Sequence, residues 1–355
     1  MTRRILFVDD DAQLLTGLSK ALRKHRDRWT MAFAGSGEAA LAEVKQHGFD
    51  VVVSDMRMPG MDGAALLAGV REHDPTTIRM ILSGFADGSA IVRALPVAHQ
   101  FFNKPCDLRE LSGAIDRACD LRAMFDSASL RAVIGKLDAL PSAPGVYHEL
   151  AAQIGRADTR VEAVAAVVER DVALCARVLQ VASSAFFGSD RPMRSIVEAV
   201  ACIGIEMVGG LALASHALGA SGDRLPPEFS LAELQHHSLM VARTARELAG
   251  AAAASDAFIA GLVHDIGEII IATALPDAHA AITTEQRGSG DTRCAVEHRL
   301  LGTSHAELGA YLLGLWGLPL TIIDAVAHHH DEVVAPTPVA AALHAAHLTT
   351  APGRC

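Results

Sequence analysis

The chain has few aromatic residues, no paired cysteine motif and no excess of basic residues. Aromatics make up 4% of the 355 residues although half of the residues are hydrophobic. Much of that half is alanine, which favours close-packed helices over aromatic-rich strands. The net charge of −10 excludes a chain-wide basic surface for nucleic acid. The six scattered cysteines contain no CxxC pair, so we expect free thiols rather than a cysteine zinc site.

The sequence also leads us to expect neither a long hydrophobic run nor an N-terminal leader. No apolar run reaches the ~18 residues of a membrane helix. The start MTRRILFVDDD differs from a signal peptide, because its apolar stretch is short and ends in three aspartates. We therefore expect a cytoplasmic protein without a membrane segment. At about 150 residues per domain, the length predicts two or three domains.

Residues 1–122 alternate short apolar runs with segments of helical periodicity. The predicted strands are ILFV, residues 30–34, FDVVVSD, RMILSG and HQFFNKP. Five such strands, each followed by a helix, predict an α/β domain with a doubly wound, five-stranded parallel sheet.

Polar residues follow several of these strands. In such sheets ligands bind beyond the carboxyl ends of the strands, which places Asp9, Asp10, Asp55, Ser83 and Lys104 in one pocket. Mg²⁺ would relieve the repulsion among the three carboxylates. Asp55 is then a candidate nucleophile towards a phosphoryl donor, with Lys104 and Ser83 contacting the phosphoryl oxygens. The alternative is that the acids only cap the following helices.

The motifs FVDDD, VVVSDMRMPGMDG, ILSG and FFNKP together resemble those of the receiver domains of two-component response regulators. The resemblance covers residues 1–122. It implies that Asp55 accepts a phosphoryl group from a histidine kinase or a phosphotransfer protein. The remaining implied roles are Mg²⁺ binding by Asp9, Asp10, Asp55 and the backbone carbonyl of Arg57, phosphoryl contact by Lys104, and switching by Ser83 and Phe101.

Residues 123–139 form a predicted helical linker. An apolar stripe runs from the last receiver helix towards residue 137, which allows two arrangements. One is a single long helix that transmits a state change or forms a homodimer. The other is a pair of separate helices broken near residues 127–129.

Residues 140–348 carry apolar residues at spacings of three and four without strand alternation, which predicts an all-α, multi-helix domain. Eleven of the 17 histidines lie between His236 and His347. His264 and Asp265 are adjacent, so both can reach one metal ion only at a helix end or bend. Imidazoles and carboxylates suit Zn, Fe or Mn, although each histidine alone is more often a structural residue.

This region resembles the HDOD domain, a signalling relative of the HD-type metal phosphohydrolases. The matching stretches include LPSAPGVYHEL, AFIAGLVHDIGE, LGTSHAELGAYLLGLWGLP and AVAHHHD. The resemblance implies that His237, His264 and Asp265 match metal ligands of catalytic HD enzymes. It also implies that His305, His329 and His330 match further positions of two-metal members.

Two departures from the catalytic pattern favour a sensory or interaction module over a hydrolase. His347 stands where the late acidic ligand is expected, and no Gly-Tyr-Pro signature follows the histidine run. Loss of the acid removes a negative charge that would hold a dication and help ionise its water.

The sequence thus predicts a response regulator of two-component signal transduction. In this interpretation, phosphorylation of Asp55 controls an HDOD domain that binds an unknown output protein. The alternative is a metal-dependent phosphodiesterase acting on cyclic dinucleotides or other nucleotides. DNA binding is not expected, because no basic helix-turn-helix segment is present.

Overall fold

The chain folds into two units of different architecture. One consists mainly of residues 1–138 and the other mainly of residues 139–355. The structure is a computed structural model. It describes residues 2–84, 88–125, 127–137, 140–142, 144–156, 158–187, 193–219, 225–331 and 337–350.

A five-stranded parallel sheet forms the centre of the first unit, in the order β2-β1-β3-β4-β5. The strands are β1 Arg3–Val8, β2 Trp29–Ala34, β3 Val51–Asp55, β4 Ile78–Gly84 and β5 Gln100–Lys104. The side chains of β3 are buried on both faces, which explains its unbroken apolar sequence. The strand order reverses next to β1, so the ends of β1 and β3 border the crevice where such sheets bind ligands. The predicted doubly wound sheet is confirmed.

Helices flank this sheet and begin at polar caps. They are α1 Ala12–Ala21, α2 Gly37–His47, α3 Gly63–His73, α4 Gly88–Ala94 and α5 Leu108–Met124, with a 3-10 helix at Leu22–His25. Asp11, Ser36, Asp62 and Asp107 each accept a backbone N–H from the first turn of the helix that follows. Such caps satisfy donors that a helix cannot pair internally.

The predicted linker contains a helix break. Helix α5 ends at Met124, and α6 Ala128–Gly135 begins after Ser127, whose side chain caps it. The guanidinium of Arg79, a buried residue of β4, donates to the carbonyl of Gly135 at 3.3 Å, so α6 packs on the first unit. Two separate helices therefore occupy this region instead of one continuous connector. Residues 126, 138 and 139 lie outside the described residues.

All regular secondary structure that the structure describes in the C-terminal part of the chain is helical. The helices are α7 Pro144–Ile154, α8 Val161–Val168, α9 Val172–Ala182, α10 Ile196–Ile203, α11 Ile205–Gly219, α12 Leu231–Leu248, α13 Gly250–Val263, α14 Ile266–Ala274, α15 Pro276–Ser289, α16 Arg293–Leu301, α17 His305–Leu315, α18 Leu320–Ala327 and α19 Pro338–Thr350, with a 3-10 helix at Ala185–Phe187. Every residue of α9 is buried, and α10, α11 and α13 pack against it. The predicted all-α architecture is confirmed.

One helical stretch has the length and hydropathy of a membrane span. Residues Gly250–Ala274 have a mean hydropathy of 1.6, and 83% of the window is buried within the protein. The bent pair Ile196–Ile203 and Ile205–His216 meets the same criteria jointly. The expectation that no stretch reaches this length is therefore wrong. The physical reason is that α13 and α14 lie in a helical core, where all faces of a helix are apolar.

Gly63 permits the close approach of α3 to the end of β3. A Cβ atom at Gly63 would lie 2.3 Å from the backbone carbonyl oxygen of Asp55, which cannot move without displacing the strand. We expect Gly63→Ala to lower the free energy of unfolding of the first unit by about 1–3 kcal/mol, measured by urea titration. Gly17→Ala, in exposed α1 with no atom within 4 Å, is the control. It should be neutral or stabilise by up to ~1 kcal/mol, and equal losses in both variants would contradict the packing argument.

Candidate functional site

An acidic pocket lies at the carboxyl edge of the sheet. Lys104 Nζ lies 2.6 Å from Asp9 Oδ2 and also forms an ion pair with Asp55 Oδ1. Asp9 and Asp55 are 2% and 6% exposed, whereas Asp10 beside them is exposed. Ser83, at the end of β4, is buried, and its Oγ has no hydrogen-bond partner among the described residues. One ammonium group thus joins the ends of three strands.

Backbone N–H groups hold both buried carboxylates in place. The N–H of Asp11 donates to Asp9 Oδ1 at 2.9 Å, and the N–H of Arg57 donates to Asp55 Oδ2 at 2.8 Å. The Asp11 carboxylate instead accepts two N–H groups of α1. Asp11 therefore acts as a helix cap, whereas Asp9 and Asp55 contact Lys104 and do not act only as caps.

The charges of this pocket depend on one another. Burial raises the pKa of Asp55, although the Lys104 ammonium opposes that effect. Burial also disfavours the charge of Lys104, but its contacts with Asp55 and Asp9 outweigh burial and raise its pKa. The ammonium therefore stays protonated at neutral pH. The atoms that Asp9, Asp10 and Asp55 offer to a metal ion are all carboxylate oxygens, which suit a hard cation such as Mg²⁺.

Two further predicted residues of this domain lie on elements that border the pocket. Phe101 is fully buried in β5, three residues before Lys104. Arg57 follows β3 and is exposed, so its backbone is held next to Asp55 while its side chain faces solvent.

The seven predicted site residues of the helical unit lie together although they come from distant segments. His264 ends α13 and Asp265 begins α14, so the break between these helices lets both residues face one centre. The other five are His237 on α12, His305 at the start of α17, His329 and His330 after α18, and His347 on α19.

Asp265 lies at the centre of this histidine cluster. Its Oδ2 is 3.1 Å from His264 Nε2 and 3.6 Å from His237 Nε2. Its Oδ1 is 3.5 Å from His329 Nε2 and 3.6 Å from His305 Nε2. Four imidazole nitrogens thus surround one carboxylate that is 2% exposed.

Backbone carbonyls set the tautomers of two of these rings. His264 Nδ1 lies 2.8 Å from the carbonyl of Gly261, and His329 Nδ1 lies 2.7 Å from that of Val326. A carbonyl only accepts, so Nδ1 carries a proton in both rings; when the ring is neutral, Nε2 presents a lone pair to Asp265. Lone pairs facing a buried carboxylate repel it unless a cation lies between them. Metal-ligating histidines characteristically show this arrangement.

The pKa shifts favour neutral rings at His329, His330 and His347 beside an ionised Asp265. Burial lowers the pKa of His329 to about 4 and also lowers those of His330 and His347. Burial would raise the pKa of Asp265, but the neighbouring histidines, His264 foremost, hold it well below its usual range. Neutral imidazoles with a carboxylate are the deprotonated ligands that a transition metal needs.

The cluster contains two sets of potential metal ligands. Asp265, His305, His329 and His330 offer ligand atoms that all lie within 4.8 Å of one another, and so do His237, His264 and His347. His347 Nδ1 lies 3.3 Å from His264 Nε2, so the histidine that stands where catalytic HD enzymes have an acidic ligand lies inside the cluster. The residues present therefore fit one or two transition-metal ions.

Sequence reasoning missed the acids behind His305. Glu297 Oε2 lies 2.7 Å from His305 Nδ1 and accepts the His305 N–H at 2.8 Å. Although burial lowers the pKa of His305, Glu297 outweighs that effect and raises it well above the usual value. Arg293 links Glu297, at 2.9 Å, to Glu268, at 3.3 Å. The one available signal was the spacing of four between Arg293 and Glu297 on a single helix.

Comparison with known proteins agrees with both halves of the structure. Residues 5–116 match the response regulator receiver domain, and residues 140–332 match the HDOD domain. A crystal structure of the MmoQ response regulator from Methylococcus capsulatus str. Bath is 27% identical. The match covers 59% of this chain and 86% of that chain, with a TM-score of 0.51.

Two curated relatives match parts of the chain. An uncharacterized protein of Treponema pallidum is 27% identical over 208 residues, or 58% of this chain and 40% of that protein. The transcriptional regulatory protein ZraR of Salmonella typhimurium is 33% identical over 152 residues, or 41% of this chain and 34% of that protein. The chain thus spans only about a third to two fifths of these relatives. Since the HDOD match covers more than half of the chain, the protein belongs to the HDOD family and is a response regulator with an N-terminal receiver domain.

Proposed function

We propose that phosphorylation of Asp55 controls the HDOD domain of this response regulator, which then acts by binding an output protein. The phosphoryl donor is a histidine kinase or a phosphotransfer protein in the cytoplasm. The observation that carries the proposal is the Asp9–Lys104–Asp55 arrangement, in which a buried acid lies beside an ammonium at the open edge of the sheet.

The pocket supplies each group that phosphoryl transfer to an aspartate requires. A carboxylate oxygen of Asp55 attacks the phosphorus, and the donor's imidazole nitrogen leaves with the electron pair of the broken P–N bond. The Lys104 ammonium neutralises a phosphoryl oxygen, and the Ser83 hydroxyl, which has no partner among the described residues, donates to another. Asp9, Asp10, Asp55 and the carbonyl of Arg57 would hold Mg²⁺. Bound there, the ion neutralises phosphoryl charge.

A phosphoryl group changes the charge and hydrogen bonding of this edge. It adds a charge of about −1.5 to −2 and three acceptor oxygens. Lys104 has a third donor for a phosphoryl oxygen beside its two present carboxylate partners, and Ser83 gains an acceptor. Ser83 and Phe101 lie on the adjacent strands β4 and β5, so their adjustment carries the change from the pocket to the sheet's far edge.

The homodimer predicted for the linker stripe would use its exposed part, where Met124 is 72% exposed. Leu130 and Ile134 of α6 are 1% and 2% exposed within a single chain, so a second copy cannot reach them without unpacking the helix.

Asp55→Asn tests the phosphoacceptor assignment. With acetyl phosphate and Mg²⁺, we expect the full chain to gain one acid-stable, base-labile phosphoryl group, detected by intact mass. The carboxamide that replaces the carboxylate lacks the nucleophilic oxygen charge, so the variant should gain none. Asp27→Asn, at an exposed position away from the pocket, is the control and should label like the wild type. Equal labelling of the Asp55→Asn variant would refute the assignment.

We also propose that the histidine cluster binds Fe, Mn or Zn. The support is the set of lone pairs directed at Asp265 and the absence, among the described residues, of a hydrogen-bond partner for Asp265 Oδ1, His329 Nε2 and His347 Nε2. Buried polar atoms left without partners are costly, and one cation in each of the two ligand sets would satisfy all three.

The run His328–His330 offers a matched pair of variants for this metal proposal. His329 is buried in the cluster, whereas His328 is exposed. His329→Ala should lower the metal content of purified full chain at least tenfold, measured by inductively coupled plasma mass spectrometry. His328→Ala should leave it at one or two ions per chain. Absence of metal from the wild type after incubation with Fe, Mn or Zn would contradict the proposal.

The same cluster supports a second candidate function, a metal-dependent phosphodiesterase acting on cyclic dinucleotides or other nucleotides. Its support is that all seven predicted metal ligands lie together in one cluster. The histidine at position 347 and the missing Gly-Tyr-Pro signature favour partner binding over this activity. Metal-loaded protein, phosphorylated and unphosphorylated, should be assayed with a nucleotide panel. Turnover that His329→Ala abolishes and His328→Ala retains would establish the enzyme, and no turnover in either state would exclude it.

A further inference from the structure

A cavity of about 220 Å³ lies in the helical unit beside the histidine cluster. Its walls are the segment before α12, the first turn of α12, and parts of α14, α15 and α16. The lining residues that matter here are Glu228, Phe229, Glu233, Glu268, His279 and Arg293. None of the seven residues of the histidine cluster lines it, so the cavity is a separate site.

The lining carries an excess of negative charge. Three glutamates face one arginine, and Arg293 is already paired with Glu268 at 3.3 Å and with Glu297 outside the cavity at 2.9 Å. The other two glutamates, Glu228 and Glu233, are exposed, and their negative charges can attract a ligand. Charge complementarity therefore favours a cation over a phosphate or a carboxylate.

The N-terminus of α12 does not reverse this preference. Its cap, Ser230, accepts the N–H of Glu233 at 3.3 Å, and the Glu233 carboxylate lies in the first turn. The positive end of the helix dipole is thus already complemented by the chain's own side chains.

An organic cation fits this lining better than a metal ion held by several side chains. The groups of three or more side chains close enough to share an ion occur elsewhere among the described residues, and none of them includes Glu228, Glu233 or Glu268. At about 30 Å³ per water, the cavity holds roughly seven waters, or an organic molecule of similar size.

Two further side chains point to an organic ligand. His279 is 3% exposed, and its Nδ1 has no hydrogen-bond partner within the described part of the chain. A buried polar atom in this state is costly, and a ligand N–H or hydroxyl would satisfy it. Phe229 packs edge-on against His279, with ring centroids 5.5 Å apart, and supplies an aromatic surface of the kind that binds ammonium or guanidinium groups.

We propose that this cavity binds a small organic cation that carries an ammonium or guanidinium group. Glu228 and Glu233 hold the charged group, Phe229 packs against the ligand, and His279 Nδ1 accepts a hydrogen bond from a ligand N–H or hydroxyl in the interior.

Isothermal titration of the full chain with agmatine, which carries both kinds of group, tests the proposal. We expect saturable binding of one molecule per chain. Glu228→Gln and Glu233→Gln should each weaken it by roughly fivefold, the upper range for an exposed ion pair, and together by roughly twentyfold. Both residues are exposed, so the variants should fold.

Glu247→Gln is the matched control, because Glu247 is an exposed acid near the other end of α12. It should bind agmatine like the wild type, and inorganic phosphate should not compete. The proposal is overturned if millimolar agmatine gives no saturable binding, if the double variant binds as tightly as the control, or if phosphate occupies the site in preference.

Discussion

Buried carboxylates must be surrounded by positive charge or hydrogen-bond donors, and both functional regions of this protein are organised around that constraint. Taking a carboxylate out of water is costly unless its charge is compensated. In the receiver domain, Lys104 and two backbone N–H groups compensate Asp9 and Asp55. In the HDOD domain, imidazoles from four segments surround Asp265. Each arrangement draws together residues that are distant in sequence.

The backbone conformation around these carboxylates brings the compensating groups close to them. The helix break at His264 and Asp265 turns two adjacent side chains towards one centre. Gly267 allows the start of α17 to approach, since a Cβ there would lie 1.8 Å from the carbonyl oxygen of His305. Gly63 has the corresponding role beside Asp55. The positions of the functional carboxylates in both domains therefore depend on glycines, which let neighbouring backbone segments approach closely.

Much of this architecture is predictable from local sequence. The apolar strands that end in acids predict the sheet and its pocket, because strand ends of a parallel sheet meet at one edge. Adjacent His264 and Asp265 predict a helix bend. Whether α5 and α6 form one helix or two does not follow from the sequence, because an apolar stripe is compatible with both. The Ser127 cap and the contact of Gly135 with Arg79 show that there are two. The pairing of Glu297 with His305 depends on tertiary packing, which no local spacing reveals.

The central claim is that Asp55 phosphorylation controls the HDOD domain, and hydrogen–deuterium exchange of the full chain tests it most directly. Exchange should be compared with and without acetyl phosphate and Mg²⁺, in the wild type and in Asp55→Asn. The account predicts altered exchange in peptides beyond residue 140 in the phosphorylated wild type and no alteration in the variant. Changes confined to residues 2–137 of a fully phosphorylated chain would contradict it.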